Sequence, residues 1–307
     1  MSQQRKNRQR QRNEDARLPF KIVGYTLPCE RHPQRNEDTY LVEKAGGLIA
    51  VFDGVGGSAA GEIASQTAKR AALAAWHEAI LKKYGKPLPT KRLINCDSAD
   101  FCSILQGVVE SADERVRTEG ARLAGTDDLA TTVAIALFCQ KEGANEYAMI
   151  YAHVGDSRVY LLPEQGALKR LTIDDGLLGR LVENLMVTEE DARHIDQAMR
   201  AEDLSELEFS YFRLRGGITQ ALGGPLPPTI HLAETPVAIG DRILLCTDGI
   251  HDNLTDAEIE SILRTASRDA AARVLVEKSL LRSREDRGVT IRAKPDDMSA
   301  VVVTRRF

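Results

Sequence analysis

The acidic residues of this chain that could act together are Glu37-Asp38, Asp53, Asp156, Asp248 and Asp296-Asp297, and each lies at the edge of an apolar, β-like run. Asp53 ends Leu48-Ile49-Ala50-Val51-Phe52-Asp53, and Asp156 follows Tyr151-Ala152-His153-Val154-Gly155. Asp248 ends Arg242-Ile243-Leu244-Leu245-Cys246-Thr247-Asp248, and Asp296-Asp297 precedes Met298-Ser299-Ala300-Val301-Val302-Val303. Strand ends are rigid places from which distant carboxylates can converge on one point. Converging carboxylates repel unless a cation sits between them. Mg²⁺ and Mn²⁺ are the hard, oxygen-seeking ions that fit such a set. The pattern predicts an enzyme built around divalent ions.

The elements that must position these residues follow from periodicity. Residues 47–52 read as a buried strand. Residues 59–84 read as a long helix, with Ala64, Ala68, Ala71, Ala72, Ala75 and Trp76 at helical spacing, ended by Lys86-Pro87-Leu88-Pro89-Thr90. A second long helix is expected over 98–123. Strands are expected over 130–138, 146–154 and 158–162, with short turns that imply antiparallel pairing. Residues 176–215 carry many charges and little strand pattern, and Thr188-Glu189-Glu190-Asp191 resembles a capping box, so short helices are expected there. A strand at 242–247, helices at 256–266 and 270–282, and a strand at 299–304 complete the reading. Helices and strands in this order suggest an α+β fold of layered antiparallel sheets rather than a doubly wound parallel one.

Composition sets the outer bounds. The chain has 307 residues and a formal charge of −4, which argues against a general nucleic-acid binder. No apolar run approaches the ~18 residues of a membrane span, and no signal-peptide core opens the chain, so no membrane association and a cytoplasmic location are expected. The five cysteines lack Cys-x-x-Cys spacing and the six histidines lack His-x-x-x-His, which suggests reduced thiols and no zinc framework. Residues 1–17 hold Arg5, Lys6, Arg8, Arg10, Arg12 and Arg17 among polar neighbours and read as a disordered basic tail ahead of a domain over 18–307. Gln-Arg-Asn-Glu-Asp occurs at 11–15 and again at 34–38, and only the second copy leads into a strand-like Thr39-Tyr40-Leu41-Val42, so chemistry is assigned to that copy.

Taken in order, Asn36-Glu37-Asp38-Thr39, Val51-Phe52-Asp53-Gly54-Val55-Gly56-Gly57, Ala130-Thr131-Thr132-Val133, Val154-Gly155-Asp156-Ser157-Arg158, Ile218-Thr219-Gln220-Ala221-Leu222-Gly223, Cys246-Thr247-Asp248-Gly249 and Asp296-Asp297-Met298-Ser299 resemble the motifs of the metal-dependent protein phosphatases of type 2C (the PPM family), in its bacterial branch. The resemblance covers residues 20–305. It implies a four-layer α-β-β-α sandwich, two antiparallel sheets flanked by helices, and hydrolysis of phosphoserine and phosphothreonine with two Mn²⁺ or Mg²⁺ ions. By matching position, Asp53 would bridge both ions, the Gly54 carbonyl would bind one, and Asp248 and Asp296 the other. Glu37 and Asp38 would bind directly or through water, and Asp156 with Asp248 would form a third, weaker site. Asp53, Asp248 and Asp296 are thus the catalytic candidates. A water shared by two such ions becomes a nucleophile near neutral pH and attacks phosphorus in line. Residues 176–215 match the family's flap. Phosphorylated protein substrates, as made by a Ser/Thr kinase, and a monomeric state are the expected partners and form.

The chain departs from the family pattern in several places. The family's phosphate-binding arginine falls at Pro33, with Arg31 and Arg35 on either side as candidates. Val55 stands where the eukaryotic branch has a histidine. Asp297 replaces the usual asparagine, adding charge or capping a turn. Asp175 replaces a histidine in Thr172-Ile173-Asp174-Asp175. Two rival readings are compatible with parts of the sequence. Cys29 and Arg35 have the Cys-x5-Arg spacing of thiolate phosphatases, but Pro33 removes an N–H from the would-be phosphate cradle and no glycine lies between them. A pseudophosphatase acting as a binding module would keep the fold without turnover, and the intact carboxylate set speaks against it. Trp76 and Met149 are read as core, His153 as a strand residue, and His251 as a histidine near the chemistry without a role in it.

Overall fold

Apolar runs without alternation need burial on both faces, and the strands of this chain find it between two layers. In the computed structural model, which describes residues 19–44, 47–55, 59–87, 94–96, 98–126, 128–141 and 146–306, one sheet has β1 (Phe20–Leu27), β13 (Met298–Arg305), β12 (Arg242–Cys246), β9 (Arg158–Leu162) and β10 (Lys169–Arg170) in that spatial order. The other runs β11 (His231–Val237), β8 (Tyr147–Val154), β7 (Val133–Lys141), β3 (Leu48–Phe52) and β2 (Thr39–Glu43), with β5 (Ile94–Cys96) added to β7. A short pair, β4 (Gly54–Val55) with β6 (Ala130–Thr131), lies beside them.

Alternate residues of each strand serve different cores. Ile49, Val51, Ala134, Ala136 and Met149 of the second sheet meet Val159, Leu161, Ile243, Leu245, Val301 and Val303 of the first. The outward residues Leu48, Ala50, Phe52, Ile135 and Leu137 are covered by α1 (Ala59–Tyr84) and α2 (Ser98–Arg115). The alanine row Ala60, Ala64, Ala68 and Ala72 gives α1 a flat face, and Trp76 fills the space beyond it. On the opposite side, Tyr160, Leu162, Leu244, Ala300 and Val302 are covered by α8 (Asp256–Thr265) and α9 (Ala271–Ser283). The expected four layers are present.

Several expectations need correction. The second long helix breaks after Arg115 into a wider turn at Val116–Gly120 and the short α3 (Ala121–Ala124). The strand over 130–138 is interrupted at Thr132, dividing β6 from β7. The short turn after Val154 does not close a hairpin: β8 and β9 lie in different sheets, so Gly155-Asp156-Ser157 is the corner where the chain crosses the sandwich. The β5 to β7 pair is parallel. Cys139 is disulfide-bonded, against the expectation of reduced thiols, while Cys29, Cys102 and Cys246 are free; the sequence expectation rested on the lack of Cys-x-x-Cys spacing, which a disulfide does not require. The basic tail at 1–17 lies outside the described residues. No helix among them is long and apolar enough to cross a membrane.

Residues 176–215 form the expected short helices α4 (Leu177–Glu183), α5 (Glu189–Gln197) and α6 (Glu206–Leu214). Thr188 caps α5 by accepting from the Asp191 N–H, and Ser205 caps α6 in a capping box with Glu208. They have a small core of their own, Ile195, Ala198 and Phe212. One ionic knot ties them to the sheet. The Arg158 guanidinium, buried on β9, donates to Asp174 at 2.6 Å and to Asp196 of α5 at 3.0 Å. Burial would push both carboxyls up, but Arg158 overrides it and holds them below the usual range.

Candidate active site

Register brings the acidic residues to one end of the sandwich. Phe52 pairs with Thr39 and Val51 with Ala134, so the C-terminal end of β3 lies beside the start of β2 and of β7. Cys246 pairs with both Ala300 and Arg158, which puts the end of β12 beside the starts of β13 and β9. Asp38, Asp53, Asp156, Asp248 and Asp296 are therefore the residues that leave or enter strands at this one edge. A cleft of about 240 Å³ opens there, lined by Glu37, Asp53, Asp156, Asp248, Asp296 and Asp297 among others, with Gly54 at its wall.

Backbone contacts fix each one. The Asp53 carbonyl accepts from Thr132 N and Thr131 Oγ1, both at 2.8 Å, which explains the Thr-Thr motif at the β6–β7 break. Gly54 is wedged so closely that an added Cβ would lie 2.2 Å from the Gly61 carbonyl oxygen and 2.8 Å from that of Glu37. Gly155, with φ of +94°, makes the crossover corner, and a Cβ there would meet Thr132 at 2.7 Å. Thr247 Oγ1 donates to Asp38 Oδ2 at 2.7 Å. The Asn253 amide donates to the carbonyls of Gly249 and Lys294, tying α7 (Asp248–His251) to the loop before Asp296.

The electrostatics are those of crowded acids. Burial, then the carboxylates of Asp38, Asp248, Asp296 and Asp156, push Asp53 well above the usual carboxylate range. Burial and neighbouring carboxylates do the same to Asp38 and Asp156. Asp296 is pushed up to about 7, by burial and by Asp248. Asp38 Oδ1 and Asp248 Oδ1 are buried without a hydrogen-bond partner among the described residues. Buried acceptors with no donor are costly, and a divalent cation is the ligand that would satisfy several at once. The donor set is all oxygen, which suits Mg²⁺ or Mn²⁺.

One residue was not anticipated. Lys294 Nζ donates to Asp248 Oδ2 and, at 2.7 Å, to Asp252 Oδ2, with Asp296 Oδ2 at 3.2 Å. Burial works against its charge, yet these three carboxylates raise its pKa well above the ordinary lysine value. Its position two residues before Asp296 was the available signal, as was the helical spacing of Asp252 from Asp248.

The remaining candidates separate clearly. Arg35 reaches the cluster, 2.9 Å from Glu37 Oε1, whereas Arg31 is exposed. Asp297 is buried and accepts from Cys29 N at 2.6 Å and Glu37 N at 2.7 Å, so it anchors the loop that carries Glu37 and Asp38. Cys29 is buried, and burial together with Asp296 and Asp297 raises its thiol pKa, the reverse of what a thiolate nucleophile needs. His251 lies against the Asp156 carbonyl, Nε2 to O 3.0 Å, and burial lowers its pKa to about 4, leaving a neutral structural ring.

A model of the protein phosphatase 2C family matches residues 28–282. The chain belongs to that family. A curated serine/threonine protein phosphatase, PstP of Mycobacterium tuberculosis, is 30% identical over 264 residues, covering 84% of this chain but 42% of PstP, so the chain spans less than half of that relative. The serine/threonine phosphatase stp of Listeria innocua is 25% identical over 218 residues, 71% of this chain and 72% of stp. The solved catalytic domain of PstP in complex with two manganese ions superposes with a TM-score of 0.64 at 26% identity, over 94% of this chain and 99% of that one. The sandwich described above is thus the family fold.

Proposed function

We propose that this 2C-family chain is a metal-dependent protein phosphatase acting on phosphoserine and phosphothreonine. The observation that carries the reading is the convergence of Glu37, Asp53, Asp156, Asp248 and Asp296 on one cleft, with the Asp38 carboxylate close enough to act on Asp53, and with buried carboxylate oxygens of Asp38 and Asp248 that have no donor among the described residues. Asp53, the Gly54 carbonyl, Asp248 and Asp296 would hold a pair of Mn²⁺ or Mg²⁺ ions, with Glu37 and Asp38 supporting them and Asp156 with Asp248 offering a third position. When bound, the ions supply an activated water and charge for the phosphoryl oxygens.

The chain's own residues set the rest. Thr131 and Thr132 hold the Asp53 main chain, and Thr247 orients Asp38 through its hydroxyl. Burial and mutual repulsion raise the pKa values of Asp53, Asp38 and Asp156, so a cation among them would relieve the cost of their charge. Arg35, 2.9 Å from Glu37, would take substrate phosphate, exchanging one carboxylate for another anion. Gly216 and Ile218, which follow the segment 176–215, line the cleft, and a flap role for that segment belongs to this reading. Action as a cytoplasmic monomer on the products of a Ser/Thr kinase completes it.

The test is release of phosphate from a phosphothreonine peptide with Mn²⁺, with chelator, and in Asp53→Asn. Turnover that needs the metal, is lost in Asp53→Asn and survives Cys29→Ser is the expected result. Turnover that survives chelation but not Cys29→Ser would replace this reading with thiolate chemistry, and no turnover at all would favour the binding-module alternative.

A further inference from the structure

We propose that His153, Asp175 and His231 form a separate binding site for one late first-row divalent ion of the Zn²⁺ class, at the root of segment 176–215. The site lies outside the carboxylate cluster and uses the residue by which this chain departs from the family's histidine at position 175. His153 on β8 and His231 on β11 are cross-strand partners in register, with stacked rings 4.8 Å apart. Asp175 Oδ1 lies 2.8 Å from His231 Nε2, and one ligand atom from each of the three residues falls within 4.8 Å of the others.

An Asp–His ion pair accounts for only part of this. His153 is 4% exposed, and its Nε2 meets the Ile173 carbonyl at 2.8 Å, while its Nδ1 is buried with no hydrogen-bond partner among the described residues. A ring that donates one N–H to a backbone carbonyl presents its other nitrogen as a lone pair, which is how metal-ligating histidines are oriented. Burial also lowers the pKa of His153, favouring the neutral form that ligates. Asp175 is steadied in the same way, since its Oδ2 accepts from Gly155 N at 2.8 Å and leaves Oδ1 free to turn from His231 to an ion.

Two imidazoles and a carboxylate favour Zn²⁺ and its neighbours over Mg²⁺ or Mn²⁺, so the two sites would select different ions. Zinc bonds of about 2.0–2.2 Å require ligand atoms closer than they stand now, and His231, with a side chain 44% exposed, has room to close in. The ion would bind both ends of the segment to the sandwich. Asp175 N donates to the Gly155 carbonyl at 3.0 Å, and the Asp175 carbonyl accepts from Thr219 N at 2.7 Å. Occupancy would therefore stiffen the corner that carries Asp156 as well as the base of the segment.

The test is metal stoichiometry of the full chain after equilibration with Zn²⁺, in wild type, His231→Ala and Asp175→Asn, together with the visible spectrum after Co²⁺ loading. Both substitutions are chosen to spare His153, whose loss could unfold the strand. The proposal expects each variant to bind one fewer equivalent of Zn²⁺ than wild type, and the strong visible bands of nitrogen-ligated, low-coordinate Co²⁺ to disappear with it. Equal stoichiometry and equal spectra in wild type and folded variants would overturn it, because zinc would then bind only the carboxylate cleft or adventitiously.

Discussion

Lys294 places a positive charge where the family's ions are expected, and its removal gives a prediction with a definite sign. The ammonium touches Asp248 and Asp252 and lies 3.2 Å from Asp296, so an ion ligated by Asp248 and Asp296 must displace it or sit close to it. The lysine side chain is 35% exposed but its partners Asp248 and Asp252 are buried, so the bulk-water dielectric sets the lower limit of the effect. Two unit charges 4 Å apart then interact by about 1 kcal/mol, which gives about 2 kcal/mol of repulsion against a divalent ion. Lys294→Met should tighten Mn²⁺ binding by roughly 30-fold on that basis. The titration is best done by calorimetry at pH 8, because Lys294 now opposes the upward shift of Asp296 and, without it, protons would compete more strongly near neutrality. Unchanged or weaker Mn²⁺ affinity in Lys294→Met at pH 8 would refute the reasoning and make Lys294 a supporting residue rather than a competitor.

Other outcomes follow from the same structure. Asp297→Ala strips a charged acceptor from two buried N–H groups, and at about 1.5–3 kcal/mol for each such bond it should cost about 3–6 kcal/mol in urea unfolding, with Asp297→Asn losing about half; a loss under about 1 kcal/mol in the alanine variant would contradict this. Arg158→Met leaves the buried Asp196 and the half-buried Asp174 with only Arg170, at 3.4 and 3.9 Å, as an ion-pair partner among the described residues and should cost up to about 3–5 kcal/mol, with faster proteolysis inside 176–215, whereas unaltered cleavage would show that the knot does not anchor that segment. Because Arg158 lowers the folded pKa of both carboxyls, its contribution is complete above the unfolded carboxyl pKa of about 3.9 and is lost as pH falls through the lower folded values, a step that Arg158→Met should remove from the acid limb of the unfolding curve. The cleft has the opposite sign. Asp296 titrates near 7 when folded, so the metal-free protein should lose stability as pH rises from about 4 to 7, and Mn²⁺ should bind more weakly at pH 6 than at pH 8; equal affinity at the two values would contradict the shift.

The carboxylates were legible because each closes or opens an apolar run, and a strand buried on both faces has an unmistakable composition. Helix α1 was legible from its alanine row at helical spacing. What could not be read was whatever depends on contacts between distant segments. The β8 to β9 turn looks like a hairpin in sequence, and only the packing of two sheets turns it into a crossover at Gly155. Asp297 looked like surplus charge because its two N–H donors, from Cys29 and Glu37, lie more than 250 residues away in sequence. His153 and His231 lie far apart in the chain and share no motif, so their pairing waits on the register of β8 with β11.

The central claim is that these carboxylates hold a pair of divalent ions, and a crystal structure with bound Mn²⁺, read by anomalous scattering, tests it most directly. The account predicts two anomalous peaks within bonding distance of Asp53, with the Gly54 carbonyl on one and Asp248 and Asp296 on the other, and Lys294 moved aside. Density showing Lys294 still seated among Asp248, Asp252 and Asp296, and no manganese beside Asp53, would contradict it.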